Sequence, residues 1–152
     1  MQMDECRARL TPRLINALYT EAMVLADEAR SYFDRNGREE RLALDPLLRV
    51  GCSVESLKVT TRLMQVIAWL LMQRAIETGE LIPDDDRDDE RRLGEAPASD
   101  PELVARLPDG ALQLVRASQE LFARVRRLAD SDTEEARASP VLGLMGRLER
   151  AF

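Results

Sequence analysis

The chain of 152 residues is long enough for one domain with its own hydrophobic core, and its two cysteines, Cys6 and Cys52, lack the paired spacing of a zinc or redox site. Its 28 acidic and 22 basic residues give a net charge of −6, and it contains no histidine. The acidic balance disfavours nucleic-acid binding, which depends on neutralising phosphates, and the lack of histidine removes the most common catalytic base.

Residues 1–10 are predicted to be an N-terminal arm, and its first five residues, MQMDE, are polar and acidic where a secretory signal would be basic and then apolar. We therefore expect a cytoplasmic protein. The longest apolar run, residues 63–72, is shorter than the roughly 18 to 20 residues that cross a bilayer, so no membrane insertion is expected.

The first helix is predicted over residues 12–36. Thr11-Pro12 is a typical helix start, because the threonine hydroxyl can accept a free backbone N–H and proline suits the first helical position. Apolar residues then recur every three or four positions, and Asn36-Gly37 is a typical helix end.

The second helix is predicted over residues 54–78, with Ser53 as its N-cap and Gly79 after its last turn. The link before it contains Asp45-Pro46 and Gly51, with room for one helical turn around residues 44–50. Apolar side chains fall on nearly every side of the second helix, more than two partner helices can cover. A two-fold dimer is the commonest way to bury such a surface, so we expect a homodimer.

The acidic loop, residues 83–100, is predicted to be disordered and to bury nothing. Its acidic residues match several positions of an EF-hand calcium loop, but Asp89 stands where that loop needs glycine, and Arg87 and Arg92 add positive charge. We therefore favour a solvated linker, with no bound metal.

The third helix is predicted over residues 108–130, with an apolar stripe running from Leu112 to Ala129. The remaining residues, 131–152, are predicted to be a flexible tail with a short amphipathic segment after Pro140. That segment either docks in a partner's groove or packs on its own bundle. The chain is thus predicted to be all-α, an antiparallel three-helix bundle over residues 11–130.

Catalytic chemistry has no support in the sequence. The seven glycines never form a phosphate-binding loop, and the many carboxylates occur in runs that are typical of solvated surface. We expect a protein that is not an enzyme, binds no cofactor and acts by contacting other proteins.

Two segments resemble the RcdA family of alphaproteobacteria: residues 17–33, ALYTEAMVLADEARSYF, and residues 53–71, SVESLKVTTRLMQVIAWLL. The layout is similar over about residues 11–152. The resemblance implies a dimeric three-helix bundle that acts as an adaptor for the ClpXP protease. With a response-regulator partner and further adaptors, such a protein delivers cell-cycle regulators such as CtrA for degradation.

The candidate interaction residues come from three places: the polar side of the second helix, a basic cluster on the third, and the amphipathic tail. They are Glu55, Lys58, Thr61, Arg62, Gln65, Arg124, Arg126, Arg127, Val141, Leu144, Leu148 and Phe152. The alternatives are capping by Glu55, hydrogen bonds inside the bundle for Thr61, Arg62 and Gln65, and a plain charged helix face for the arginines. Trp69 is either an interface anchor or, as its apolar neighbours favour, part of the core.

Two other functions remain open from the sequence. The chain could be a dimeric module that sequesters one partner without affecting proteolysis. It could also be a DNA-binding regulator with the second helix in the major groove, which Lys58 and Arg62 suggest but the acidic charge and the helix's apolar circumference oppose.

Overall fold

The computed structural model describes residues 11–82 and 92–151, with the side chains of residues 133–147 and 150 outside that description. It contains five α-helices and a π-helical turn in these ranges, and no β-strand among them. The helices are α1 (Pro12–Ser31), α2 (Arg38–Leu42), α3 (Pro46–Glu77), α4 (Pro101–Ala105) and α5 (Asp109–Ala151). The predicted all-α three-helix bundle is confirmed, with α1, α3 and α5 as its long members. The predicted antiparallel arrangement holds for α1 against the other two helices, but α3 and α5 are parallel to each other.

Helix α1 begins as the sequence indicates. The backbone N–H of Leu14 donates to Thr11 Oγ1 at 3.1 Å, and proline occupies the first turn. The helix widens into a π-helical turn over Tyr32–Asn36, closed by a 2.7 Å bond from the Gly37 N–H to the Tyr32 carbonyl. Together these elements span the predicted range 12–36.

Helix α3 begins at Pro46, so the predicted start at residue 54 is wrong. Asp45 is the N-cap, because its carboxylate accepts the Leu48 N–H at 2.9 Å. Ser53 instead donates to the Arg49 carbonyl at 3.2 Å from inside the helix. Gly51 does not end the helix; a Cβ there would lie 2.8 Å from a Leu103 methyl, so glycine lets α4 approach closely.

Helix α5 continues to Ala151, so the predicted end near Asp130 is also wrong. Residues 131–139 are polar, but they contain neither glycine nor proline, and polarity alone does not stop a helix. Pro140 lies inside α5, although proline removes one helical hydrogen bond and costs about 3 kcal/mol. The predicted amphipathic segment is therefore part of this helix and does not follow a break.

The directions of the long helices follow from their contacts. The Arg74 guanidinium of α3 lies 5.3 Å from the centre of the Tyr19 ring, whereas Phe33 and Ser56 line one cleft at the other end of α1. Helix α1 is therefore antiparallel to α3. Helix α5 runs parallel to α3. Gly110, at the start of α5, lies against Tyr32, which is near the start of α3. Further along α5, Ser118 accepts a hydrogen bond from Arg62 in the middle of α3.

The core is continuous along the three long helices. Residues with 0% exposure come from α1, α3 and α5, including Ala22, Val59, Val66, Leu70 and Val115. Trp69 is 4% exposed, as predicted for a core residue. The core also buries Cys52 and, from the segment between α3 and α4, Leu93.

Candidate protein-interaction surfaces

The most enclosed polar cluster lies on α3, beneath residues 92–100, which we call the strap. Glu55 is fully buried and Arg62 is 3% exposed. Ser99 of the strap joins them: its hydroxyl donates to Glu55 Oε2 at 2.5 Å and accepts from Arg62 Nη2 at 2.6 Å. Arg62 also donates to Ser118 Oγ at 3.3 Å, so the cluster extends to α5.

Burial sets the electrostatics of this cluster. Removal from water lowers the pKa of the Arg62 guanidinium, and the negative charge of Glu55 acts in the opposite direction. Lys58 adds a second cation, with its Nζ 3.2 Å from Glu55 Oε1. The buried carboxylate is therefore bonded to one ammonium and one hydroxyl, as a buried charge requires.

Thr61 and Lys58 of α3 also form hydrogen bonds within the chain, and Gln65 is in close contact with the strap. Thr61 Oγ1 donates to the Leu57 carbonyl at 2.9 Å, and Lys58 Nζ donates to the Ala98 carbonyl at 2.8 Å. Gln65 lies against Gly94, where a Cβ would come within 2.3 Å of its amide oxygen. The structure thus brings the predicted residues together, but Glu55 and Arg62 are interior residues while the strap is in place. The alternative prediction, hydrogen bonds inside the bundle, is confirmed for Arg62. Glu55 does not cap a helix; its buried carboxylate accepts from Lys58 and Ser99.

The basic cluster of α5 is divided among three environments. Arg124 pairs with Glu21 of α1. Arg126 lies 5.2 Å from the centre of the Phe122 ring and donates to the Gly94 carbonyl at 3.2 Å. Arg127 is exposed. Two of the three arginines therefore hold parts of the fold together, and only Arg127 belongs to a plain exposed face.

The tail candidates are only partly described. Leu148 is 55% exposed. The side chains of Val141 and Leu144, and Phe152 altogether, lie outside the described part of the chain. The predicted role of this segment in docking stays a prediction.

An exposed stripe of mostly apolar residues, which the sequence did not predict, runs along the face of α3 opposite to its core side. Its members recur at alternating spacings of three and four residues, the heptad pattern of a helix that packs against another helix. The apolar members are Leu47, Val50, Val54, Leu57, Met64, Ala68 and Leu71, and the half-buried Thr61 occupies the remaining position of the pattern. The exposed fractions reach 81% at Leu47, 68% at Leu57 and 66% at Met64. The same spacing is present in the sequence, but α3 also carries apolar residues on its other sides, so the pattern alone does not show which side is exposed.

A cleft of about 280 Å³ lies beside the stripe, between α1 and α3. Its lining is largely apolar, with Phe33, Leu63, Met64 and Ile67, and it includes Arg30 and Asp34. Met64 belongs to both the cleft and the stripe, so a helix that covers the stripe would also contact the cleft.

Nothing in the described residues is arranged for metal binding. No group of three or more histidine, cysteine, aspartate or glutamate side chains in residues 11–82 and 92–151 is placed to hold an ion. The calcium-loop alternative concerns residues 84–95, most of which lie outside those ranges. No helix in the described ranges is long and apolar enough to cross a membrane.

Comparisons with known proteins identify the family. Residues 6–152 match a family model described as "Protein of unknown function (DUF1465)". A comparison with curated proteins finds no match. The crystal structure of RcdA from Caulobacter crescentus CB15 is similar, with a TM-score of 0.63 and 36% sequence identity, over 80% of this chain and 90% of that one. The chain therefore belongs to the RcdA family.

Proposed function

We propose that this protein is a non-enzymatic, homodimeric adaptor that helps deliver CtrA-type regulators to the ClpXP protease in the cytoplasm. Its partners would be the protease, a response regulator, further adaptors and the substrate itself. Membership of the RcdA family supports a regulatory role that works through protein contacts. The exposed stripe of α3 is the observation that carries the proposal, because it provides a surface suited to another helix.

The stripe supports a dimer for two physical reasons. It lies on the face of α3 opposite to the side chains that pack against α1 and α5, so two copies can meet there without disturbing either bundle. An exposed apolar row this long is unusual on a monomer and is typical of an interface. Its heptad spacing would place Leu57 and Met64 near the centre of an interface between two α3 helices.

A dimer suits an adaptor because it repeats each of its binding surfaces. An adaptor needs to hold a substrate and a protease at the same time, which raises the effective concentration of one beside the other. The outer face of α5, which includes the exposed Arg127, is available for such contacts. Sequestration of a single partner would need only one surface and would leave the degradation rate unchanged.

The test is degradation of a CtrA-type substrate by purified ClpXP, with the response regulator and the other adaptors present. We expect faster turnover when this protein is added at the concentration of the other adaptors. A variant with Leu57→Asp, which places a charge in the middle of the stripe, is expected to lose most of that increase. If wild-type protein leaves turnover unchanged while the other components are active, the sequestering module replaces the adaptor proposal.

A further inference from the structure

Three contacts hold the strap through its backbone. The carbonyl of Gly94 accepts from Arg126, that of Pro97 from Arg62 Nη2 at 3.2 Å, and that of Ala98 from Lys58. The strap has no regular secondary structure, and the three cations come from α3 and α5. Any extended chain can offer carbonyls in this way, so these three contacts do not depend on the strap's own side chains.

Two side chains supply the selective contacts. Leu93 is 7% exposed and is the single buried side chain of residues 92–100. Ser99 provides the hydroxyl that bridges Glu55 and Arg62. The close approach of Gly94 to Gln65 favours glycine between them, since a larger residue would require the Gln65 amide to move.

The surface beneath the strap is unlike an ordinary core surface. It is made of Glu55, Lys58, Arg62, Gln65 and Arg126, which we call the groove. Burying Glu55 and Arg62 costs hydration, and that hydration would be regained if the strap left. The groove is therefore able to exist uncovered in water, whereas an apolar surface of the same size would not.

We infer that the groove is a peptide-binding site, which the strap occupies in this structure and which accepts an extended segment of a partner protein. The segment would carry a leucine-like residue, then glycine, and a serine five residues after the glycine, as in Leu93, Gly94 and Ser99. The groove and the stripe have no residue in common, so this inference does not depend on the dimer or on the adaptor role. A binding site covered by the strap explains why charged residues such as Glu55 and Arg62, which are typical of a surface, are buried.

The test uses a fluorescein-labelled peptide with the sequence of residues 92–100, RLGEAPASD, titrated with the full-length protein and followed by fluorescence anisotropy. An open variant, Leu93→Asp with Ser99→Ala, removes both selective contacts of the strap. We expect it to bind the peptide at least tenfold more tightly than wild type does, because a tethered strap competes at an effective concentration on the order of millimolar. Adding Arg62→Met to the open variant should cancel this gain.

The matched control is a peptide carrying the same two substitutions, which should bind neither protein measurably. Circular dichroism confirms that each variant is helical; if the open variant does not fold, Ser99→Ala alone takes its place, with a gain of about threefold expected from the loss of one bridging hydroxyl. The inference is overturned if the folded variant binds the native peptide no more tightly than the control peptide. It is equally overturned if wild type binds the native peptide as tightly as the variant does.

Discussion

At the scale of single residues, the buried charges of α3 show how a polar sequence becomes part of the interior. Glu55 and Arg62 are two turns apart on one face, and the strap supplies the hydroxyl and carbonyl that satisfy them. A buried ion is tolerated only when its hydrogen bonds are made. Glu55 and Arg62 therefore depend on the strap for hydrogen bonds that α5 does not supply.

Replacing Arg62 is expected to destabilise the protein. The Arg62→Met variant loses the bonds to Ser118, Ser99 and the Pro97 carbonyl, and it leaves Lys58 as the cation beside Glu55. We expect the free energy of unfolding to fall by about 1–3 kcal/mol, measured by urea denaturation.

The control for this variant is Arg127→Met, because Arg127 is exposed on α5. Its effect should stay within about 0.5 kcal/mol. Equal losses in the two variants would show that the buried network contributes nothing particular to stability.

The buried thiol of Cys52 makes a second residue-level prediction. Burial raises its pKa, so at pH 8 its thiolate fraction is below that of an ordinary cysteine, and access is restricted as well. In a Cys6→Ser variant, the thiol reagent dithiobis(nitrobenzoate) should react with Cys52 at least tenfold more slowly in the folded protein than in concentrated urea. Equal rates would mean that Cys52 is accessible in the native state.

At the scale of elements, helix starts follow the combination of a cap and a proline. Thr11-Pro12 starts α1, as the sequence predicts, and Asp45-Pro46 starts α3 in the same way, in place of the predicted cap at Ser53. Gly51 follows that start by five residues, and glycine weakens a helix interior. Glycine is nevertheless suited to this position of α3, because Leu103 of α4 packs against it. A contact between residues so far apart in the sequence cannot be read from a local pattern.

The position of the cap can be tested directly. Asp45→Ala should lower the free energy of unfolding by about 1 kcal/mol, because it removes the acceptor of the Leu48 N–H. Ser53→Ala serves as the matched variant and should change stability by only a few tenths of a kcal/mol, since a mid-helix serine caps nothing. A larger loss of stability for Ser53→Ala than for Asp45→Ala in urea denaturation would place the start of the helix at Ser53.

At the scale of the whole molecule, the path of the chain between α3 and α5 decides the arrangement of the bundle. The strap and α4 return along α3, from Gly94 beside Gln65 to Leu103 beside Gly51. This return brings the chain back to the start of α3, so α5 runs parallel to it. The strap is thereby laid over the polar face of α3.

The stripe predicts the oligomeric state. Wild-type protein should elute as a dimer in size-exclusion chromatography with light scattering, and Leu57→Asp should shift it to monomer at micromolar concentration, because a charge would be buried between two helices. Val24→Asp is the control, since Val24 is an exposed apolar residue on α1, outside the stripe and outside the candidate interaction residues. A dimeric Leu57→Asp variant, or a monomeric wild type, would contradict the proposed interface.

The sequence by itself determined the helical class, the bounds of the first helix, the core role of Trp69 and the family, because these depend on local periodicity, capping and a long matching segment. Only the tertiary structure decided which polar residues of α3 are surface and which are interior. Glu55 and Arg62 have the composition of a binding face, and they are buried because a distant segment of the chain lies over them. The stripe likewise became visible only when α1 and α5 were seen to cover the other side of α3, since a helix that is apolar all round does not reveal which face its own bundle leaves exposed.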